Sequence, residues 1–194
     1  MNRRTQQKAS TRANIKRVAR TAFLEQGVEA TTTREISRLA NVAVGTFFVH
    51  FPDKLDLVKE IFFDEMDEAL SAGIGQQQPT SSPTDYLSQI AVTLFTFYGK
   101  YDEFTRLIML DSVSTGGFHK QQMASVTEAL LSRFEAVNID RDTGMIFAEN
   151  MVANFWLVFM ECLPTGSFAS KAALERLDRL NLPFKVSYQN AARK

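Results

Sequence analysis

The chain has 194 residues, of which 45% are hydrophobic and 23% charged, and its formal net charge is zero. This composition is too apolar for a disordered chain and suffices for one large domain or a small domain joined to a larger one. The single cysteine, Cys162, excludes an internal disulfide framework. No run of about 18 apolar residues predicts a membrane span, and the polar N-terminus does not resemble a secretory signal. We therefore expect a soluble, cytoplasmic protein.

Charge is distributed unevenly along the chain. Residues 1–60 hold 11 Lys or Arg and 6 Asp or Glu, a net charge of +5, whereas the remaining residues hold 11 and 16, a net charge of −5. A basic head on an acidic body favours binding of a polyanion, because neutralisation of phosphates is the sequence-independent part of nucleic-acid affinity. Many basic N-termini are only solvated, so the charge alone leaves both interpretations open.

The first predicted helix is TRANIKRVARTAFLEQG, which carries an apolar stripe at helical spacing and ends at Gly27. The residues of this stripe are Ile15, Val18, Ala19, Ala22 and Phe23. A second, short helix is predicted in EATTTREISRLA, where Thr32 and Glu35 have the spacing of a capping box. Asn41 tolerates a left-handed backbone, which predicts a tight turn after this helix.

The next segment, NVAVGTFFVHF, is rich in β-branched and aromatic residues that favour a strand. No second convincing strand occurs in the sequence, and a lone strand is not stable. As a helix, the segment places Val44, Phe47, Phe48 and Phe51 on one face, and Pro52 ends it. Two short helices joined by a tight turn form a helix-turn-helix.

The segment TTTREISRLANVAVGTFFVHFPDKLDLV resembles the helix-turn-helix of the TetR family of bacterial transcriptional regulators. The positions that match the family pattern are Thr33, Ile36, Ala40, Val42, Gly45, Thr46, His50, Phe51 and Lys54. The resemblance covers roughly residues 12–62, and the remaining chain matches only in length and helical character. It implies an all-α fold with a three-helix DNA-binding domain, residues 1–53, and a helical effector-binding and dimerisation domain, residues 54–194.

The same resemblance implies that a recognition helix, Val44–His50, enters the major groove of double-stranded operator DNA. Thr33, His50 and Lys54 are then expected to contact phosphates, and Arg34 a base edge. The DNA-binding residues predicted in this way are Thr33, Arg34, Val44, Gly45, Thr46, Phe48, His50 and Lys54.

Two departures from the family pattern concern hydroxyl groups. Ala43 and Phe48 stand where the family usually has Ser and Tyr, and each is expected to weaken one phosphate contact by roughly 1 kcal/mol. Arg34, Lys54 and the basic residues from Arg3 to Arg12 are expected to offset these losses.

The body of the chain follows the linker GIGQQQPTSSPTD and is predicted to be helical at about 84–100, 102–114, 118–137, 142–163 and 167–181. Its apolar residues are rich in aromatics and methionine, which suits a cavity for an apolar or aromatic effector, although each of them is also an ordinary core residue. The predicted ligand-binding residues are Phe95, Tyr98, Phe104, Met109, Phe118, Met123, Phe147, Asn150, Met151 and Asn154.

A homodimer is predicted through the two C-terminal helices. IFAENMVANFWLVFMECL is apolar on nearly all sides, which indicates burial beyond its own domain. The resemblance pairs it with FASKAALERLDRL in the dimer interface, which matches a two-fold symmetric operator. Asn150 and Asn154 lie one turn apart in the first of these segments and are interpreted either as ligand contacts or as hydrogen bonds across the dimer.

No catalytic, metal or cofactor site is predicted. Asp64, Asp67 and Glu68 have a spacing that suits a divalent cation, but no second acidic cluster completes a site, so a solvated face is favoured. We therefore expect a ligand-responsive DNA-binding regulator, a repressor released by an apolar or aromatic effector. The alternative is a helical small-molecule-binding protein, or a metal-dependent helical enzyme, without sequence-specific DNA binding.

Overall fold

The computed structural model describes residues 3–74, 81–115 and 120–193, without the side chains of residues 73–74, 113–115 and 120–122. Within these ranges the chain forms nine helices and no strand, which confirms the all-α prediction. The helices are α1 (Arg3–Gln26), α2 (Thr33–Leu39), α3 (Val44–His50), α4 (Lys54–Ile74), α5 (Pro83–Lys100), α6 (Asp102–Thr115), α7 (Lys120–Glu135), α8 (Arg141–Cys162) and α9 (Lys171–Ala192).

The chain divides into two compact units, Met1–Glu65 and Met66–Lys194. The division falls within α4, so this helix begins in the first unit, here called the head, and ends in the second, here called the body. The predicted domain boundary after residue 53 lies at the start of the same helix and stays a prediction.

The core of the head forms where the helical stripes of α1, α2, α3 and α4 meet. All five apolar residues predicted for the α1 stripe are buried, which confirms that stripe. From α3, Phe47 and Phe51 are fully buried, with their ring centroids 5.9 Å apart. The predicted α3 stripe is wrong in part, because Val44 and Phe48 are exposed while His50 is buried.

The body is held together by aromatic side chains that α5 and α8 bring to the same place. Phe95 of α5 stacks on Phe155 of α8 at 5.1 Å between centroids. One turn further along each helix, Tyr98 packs edge-on against Phe159 at 4.8 Å. Phe159 in turn stacks on Phe168, at 5.2 Å, in the segment between α8 and α9.

Two predicted helix boundaries are wrong. The predicted first helix begins at Thr11, whereas α1 begins at Arg3 and includes the basic residues at its start. The last helix was predicted to end near residue 181, before Pro183, but α9 continues through Pro183 to Ala192. Proline removes one helical hydrogen bond but does not end this helix. One turn earlier, the side chain of Asn154 in α8 donates to the Leu180 carbonyl at 3.4 Å and to Asn181 Oδ1 at 3.0 Å, which joins α8 to α9.

The sequence predicts no membrane span, yet α8 is long and apolar enough to cross a membrane by length and composition alone. Buried core helices pass the same test. Seven α8 residues are buried, and the helix packs against α7 and α9, which is the arrangement of a core helix.

Candidate nucleic-acid interface

The turn between α2 and α3 follows from its local sequence. Thr32 caps α2 by accepting a hydrogen bond from the Glu35 backbone N–H at 3.1 Å, as its spacing predicted. Asn41 has a φ of 55°, in the left-handed region that Asn tolerates better than most residues. Ala43 begins α3 without a side-chain hydrogen bond, so the helix start lacks the cap that a hydroxyl would supply.

The solvent-facing side of α3 is apolar and carries no charge. Val44, Phe48 and Val49 are 39%, 49% and 70% exposed, and Gly45 is exposed beside them. Thr46 is half-buried. We call Val44, Gly45, Phe48 and Val49 the α3 face. The sequence prediction missed Val49, although its position one turn after Gly45 was sufficient to place it on this face.

Gly45 has no structural reason to be glycine within the head. A Cβ at this position meets no other atom within 4 Å, and the residue lies in a regular helix. Glycine in a helix interior costs about 0.5–1 kcal/mol relative to alanine. A missing side chain on an exposed face instead permits close approach of another molecule.

His50 lies at the end of α3 and is only 7% exposed. Its backbone carbonyl accepts a hydrogen bond from Arg12, and its Nδ1 is buried with no hydrogen-bond partner among the described residues. Burial, followed by the charges of Arg12 and Lys8, lowers the pKa of His50 below its ordinary value of 6.5. The imidazole is therefore neutral at pH 7, and a phosphate contact by it stays a prediction.

Lys54 connects the start of α4 to the segment between α1 and α2. Its ammonium donates to the carbonyls of Val28 and Thr31 at 2.7 and 3.2 Å, and the Glu29 carbonyl lies 3.5 Å away. These carbonyls give Lys54 a structural role that the sequence prediction missed. Its phosphate contact also stays a prediction, and removal of this side chain is expected to affect the stability of the head as well as any DNA binding.

Much of the positive charge of α1 is neutralised inside the head. Arg12, Lys16 and Arg20 occur every fourth residue and pair with acidic residues of α4. Lys16 Nζ lies 3.0 Å from Glu60 Oε1, and Lys16 also pairs with Asp64. Of the basic residues from Arg3 to Arg12 that were predicted to offset the weakened phosphate contacts, Arg12 thus has an acidic partner within the head, and a phosphate contact by this segment stays a prediction.

Glu60 is shared by Arg12 and Lys16, and Arg12 also packs on the core of the head. Arg12 Nε donates to Glu60 at 3.1 Å, and its guanidinium lies 4.1 Å over the Phe51 ring. Burial acts to raise the pKa of Glu60, but hydrogen bonds from Arg12 and Lys16 outweigh it and hold that pKa below its ordinary value. Asp64, the first of the three acidic residues whose spacing suits a divalent cation, forms an ion pair with Lys16.

The remaining predicted DNA-binding residues lie on α2. Thr33 is half-buried in its first turn, and its carbonyl accepts from the Ser37 hydroxyl at 2.7 Å. Arg34 is exposed, as is Arg38 one turn later. The structure thus places exposed cations on α2 beside a neighbouring helix, α3, whose outer face is uncharged.

The predicted ligand-binding residues do not form one group. Phe95 and Tyr98 share the aromatic row with α8, whereas Phe147 packs elsewhere, against Phe134 at 5.4 Å. Phe104 packs against Tyr101 at 5.9 Å and is connected to Tyr98 through Tyr101 and Phe97. Met109, Met123 and Met151 are buried. Phe118 lies outside the described residues.

The two asparagines of α8 differ from each other. Asn154 is half-buried and donates to Leu180 and Asn181 of α9, which is a structural role within one chain. Asn150 is exposed and donates to the Ile146 carbonyl of its own helix at 2.7 Å. Neither lies in the aromatic row that contains Phe95 and Tyr98. Among the described residues, no group of three or more His, Cys, Asp or Glu side chains is arranged to hold a metal ion.

Comparison with known proteins agrees with this geometry. Residues 15–61 match the family model described as "Bacterial regulatory proteins, tetR family". The chain is 32% identical over 135 residues to the HTH-type transcriptional regulator AcrR of Shigella flexneri, which covers 66% of this chain and 60% of that protein. It is 41% identical over 61 residues to the HTH-type transcriptional repressor BepR of Brucella suis, and this match covers 31% of this chain and 29% of BepR. The chain thus spans less than two thirds of the length of these relatives.

The fold is shared with solved structures over nearly the whole chain. The structure of RolR in complex with resorcinol has a TM-score of 0.67 and 18% sequence identity, and the match covers 98% of this chain and 97% of that one. The match to the family model covers α2 and α3 entirely and extends into α1 and α4. The N-terminal domain of this chain is therefore a TetR-family helix-turn-helix domain, and the chain as a whole has the fold of TetR-family regulators.

Proposed function

We propose that this protein is a DNA-binding transcriptional regulator, a repressor that a small apolar or aromatic effector releases from its operator. The observation that carries the proposal is the α3 face, an exposed apolar surface centred on a glycine that the head itself does not require. Apolar side chains contact thymine methyl groups in the major groove, and backbone without a side chain permits close approach to DNA.

The residues proposed to contact DNA have different tasks. The α3 face reads the major groove, and the exposed Arg34 reaches a base edge, because its guanidinium matches the two acceptors of guanine. Thr33 and the N-terminus of α2 approach phosphates. His50 and Lys54 contribute mainly by fixing the end of α3 and the start of α4, since both have structural contacts in the free head.

A homodimer is proposed because α8 and α9 expose apolar residues in stripes. On α8 the exposed residues recur at alternating spacings of four and three, which is the pattern of a helix that packs along a second helix. They are Ile146, Asn150, Ala153, Leu157 and Met160. On α9, the exposed residues Leu182 and Val186 lie four residues apart, on the same face of the helix. A second copy of the chain would cover both stripes and present two heads to a two-fold symmetric operator.

The proposed effector region is the aromatic row of the body. Tyr98 is fully buried, and its hydroxyl lies 4.0 Å from the sulfur of Met66, a residue of α4. The resorcinol complex of RolR shows that a regulator with this fold binds a small phenol. Insertion of an effector near Tyr98 would displace Met66 and with it the body half of α4.

Helix α4 provides the proposed route from effector to DNA. Its head half is joined to α1 through Glu60, Asp64 and Glu65, so displacement of α4 is expected to carry α1 with it. The effector changes DNA affinity only to the extent that it binds the two arrangements with different affinity.

The test is selection of a duplex from a random pool by the purified protein. The expected product is a two-fold symmetric sequence with half-sites about one DNA turn apart, bound with a preference that persists as salt rises, and resorcinol serves as the first effector probe. Selection without any sequence preference would contradict the proposal, and magnesium-dependent turnover of a small molecule would favour the enzyme alternative. A cytoplasmic location, which we also propose, follows from access to the DNA.

A further inference from the structure

The body contains an open cavity near the start of α8, whereas the aromatic row lies further along this helix. It has a volume of about 410 Å³ and lies between the α7–α8 turn, the first two turns of α8 and the last turns of α9. This volume is within the range of about 300–1,000 Å³ found for small-molecule sites. None of its lining residues belongs to the exposed stripes proposed for dimerisation.

The turn that forms one wall of the cavity has a defined backbone. Asn138 has a φ of 61°, and the Ile139 N–H donates to the Phe134 carbonyl at 3.2 Å. Asp140 caps α8 by accepting from the Thr143 N–H at 3.0 Å. These hydrogen bonds within the chain fix the wall, so a ligand does not have to order it.

The cavity also has an aromatic surface. Phe147 lines it and is only half-buried, although it is an aromatic residue in the middle of a helical bundle. The rings of Phe134 and Phe184 lie 5.4 and 5.3 Å from the Phe147 ring and hold it in place. A flat apolar group is the natural partner of such a fixed, partly exposed ring.

The polar side of the cavity favours positive charge. Asp140 is the charged residue among those that line it, and its pKa is lowered by the hydrogen bond from Thr143, so its carboxylate is ionised at neutral pH. The last turn of α9 also borders the cavity, and the C-terminal end of a helix carries a partial negative charge. The Ser187 hydroxyl donates to the Pro183 carbonyl at 3.0 Å and so presents its lone pairs as acceptors.

We infer that this cavity binds a small molecule in which an aromatic ring carries a protonated amine. The ring packs on Phe147, and the ammonium group lies near the Asp140 carboxylate and the end of α9. This site is independent of the proposed effector region around Tyr98 and of DNA binding, so its test does not depend on them.

The probe is benzylamine, which is protonated at pH 7, with benzyl alcohol as the neutral molecule of nearly the same shape. Both are titrated into the full-length protein, and the backbone amide signals of residues 138, 143 and 187 are followed by TROSY NMR. Benzylamine is expected to shift these signals saturably and to bind several-fold more tightly than benzyl alcohol, because only the amine uses the exposed carboxylate.

Two variants separate charge from shape. Asp140→Asn keeps the helix cap, since Asn caps as well as Asp, and is expected to weaken benzylamine binding roughly threefold to fivefold without affecting benzyl alcohol. Asp142→Asn removes the same charge from a residue that does not line the cavity and should change neither affinity. Ser187→Phe fills the cavity and should abolish both.

Three results would overturn the inference: no saturable shift at these amides, shifts confined to the aromatic row, or equal affinity for the amine and the alcohol. Because the spectra also report the fold of each variant, a lost signal from unfolding is distinguishable from lost binding.

Discussion

The head and the body of this chain both expose apolar side chains, but in different settings. In the head, one group of them lies on α3, a helix of seven residues, together with an exposed glycine and beside the cations of α2. In the body, another group follows α8 and α9, each 22 residues long, at the spacing of packed helices. A short exposed face with a glycine fits the narrow surface of a DNA groove, whereas a long stripe fits a second helix.

The two regions also differ in what holds them together. The head combines a small core with ion pairs that join α1 to α4, through Arg12, Lys16 and Arg20. Among the contacts described for the body, aromatic rings predominate between α5 and α8. Stability of the head should therefore depend on pH more strongly than stability of the body.

The largest expected effect separates the buried and exposed sides of α3. Phe47→Ala removes a fully buried ring and should destabilise the head by about 3–5 kcal/mol. Phe48→Ala removes a ring that is half exposed and packs edge-on against Phe47 at 5.2 Å, so it should lower the free energy of unfolding clearly less. The same substitution should impair DNA binding. Urea unfolding, followed by the amide NMR signals of the head, measures the loss of unfolding free energy in both variants. Equal losses would show that Phe48 is a core residue.

The second prediction concerns the stripe on α8. Leu157→Glu places a charge in the centre of the proposed dimer interface and should cost more than about 2 kcal/mol of association free energy, as at an interface hot spot. Light scattering after gel filtration is expected to show a dimer for the parent chain and a monomer for the variant. Glu149→Gln, an exposed substitution on the same helix that introduces no charge, is the control. A parent chain that is monomeric at high concentration would contradict the dimer proposal.

The third prediction is the pH dependence of the head. The pKa of His50 lies below 6.5 in the folded head, so as pH falls through 6.5 the unfolded chain takes up the proton first and stability decreases until the folded pKa is reached. Glu60, whose pKa is held below 4.5, contributes stability above that value, and this is lost as pH falls through its folded pKa. Acidification should therefore weaken the head in two stages.

Variants assign the two stages. His50→Gln should remove the decrease that begins near pH 6.5, and Glu60→Gln should remove the later one. Urea unfolding at a series of pH values, followed by amide signals of the head and body separately, measures both. If head stability were unchanged between pH 7 and pH 5, burial of a neutral His50 would not be a property of the molecule in solution.

The sequence was sufficient to predict the helix-turn-helix because its information is local. The Thr32 cap, the left-handed Asn41 and the stop at Pro52 lie within about twenty residues, and local geometry determines how α2 and α3 meet. The propensity of Val44–Phe51 for a strand was overridden because these residues had no strand to pair with. The contacts of Lys54 were not predicted, because its carbonyl partners lie more than twenty residues earlier.

The body was less predictable because its groups come from several helices. Aromatic content indicated a core or a cavity but not which rings meet. Phe95 and Phe104 proved to belong to one connected set of rings, and Phe147 to another. The hydrogen bonds from Asn154 to α9 join residues of two helices that no local pattern connects. Such contacts are set by packing, which periodicity does not specify.

The most direct test of the central claim is the DNA affinity of Gly45→Ala, measured by fluorescence anisotropy on the selected duplex and a shuffled one. The head of this variant should be at least as stable as that of the parent chain, because alanine is favoured over glycine in a helix and meets no atom within 4 Å here. Its affinity for the selected duplex should nevertheless fall by about tenfold. Gly99→Ala, an equally open helical position in the body, should gain stability and bind as the parent does. Unchanged affinity of Gly45→Ala, or equal binding of the parent chain to both duplexes, would contradict the assignment of the α3 face as the surface that reads DNA.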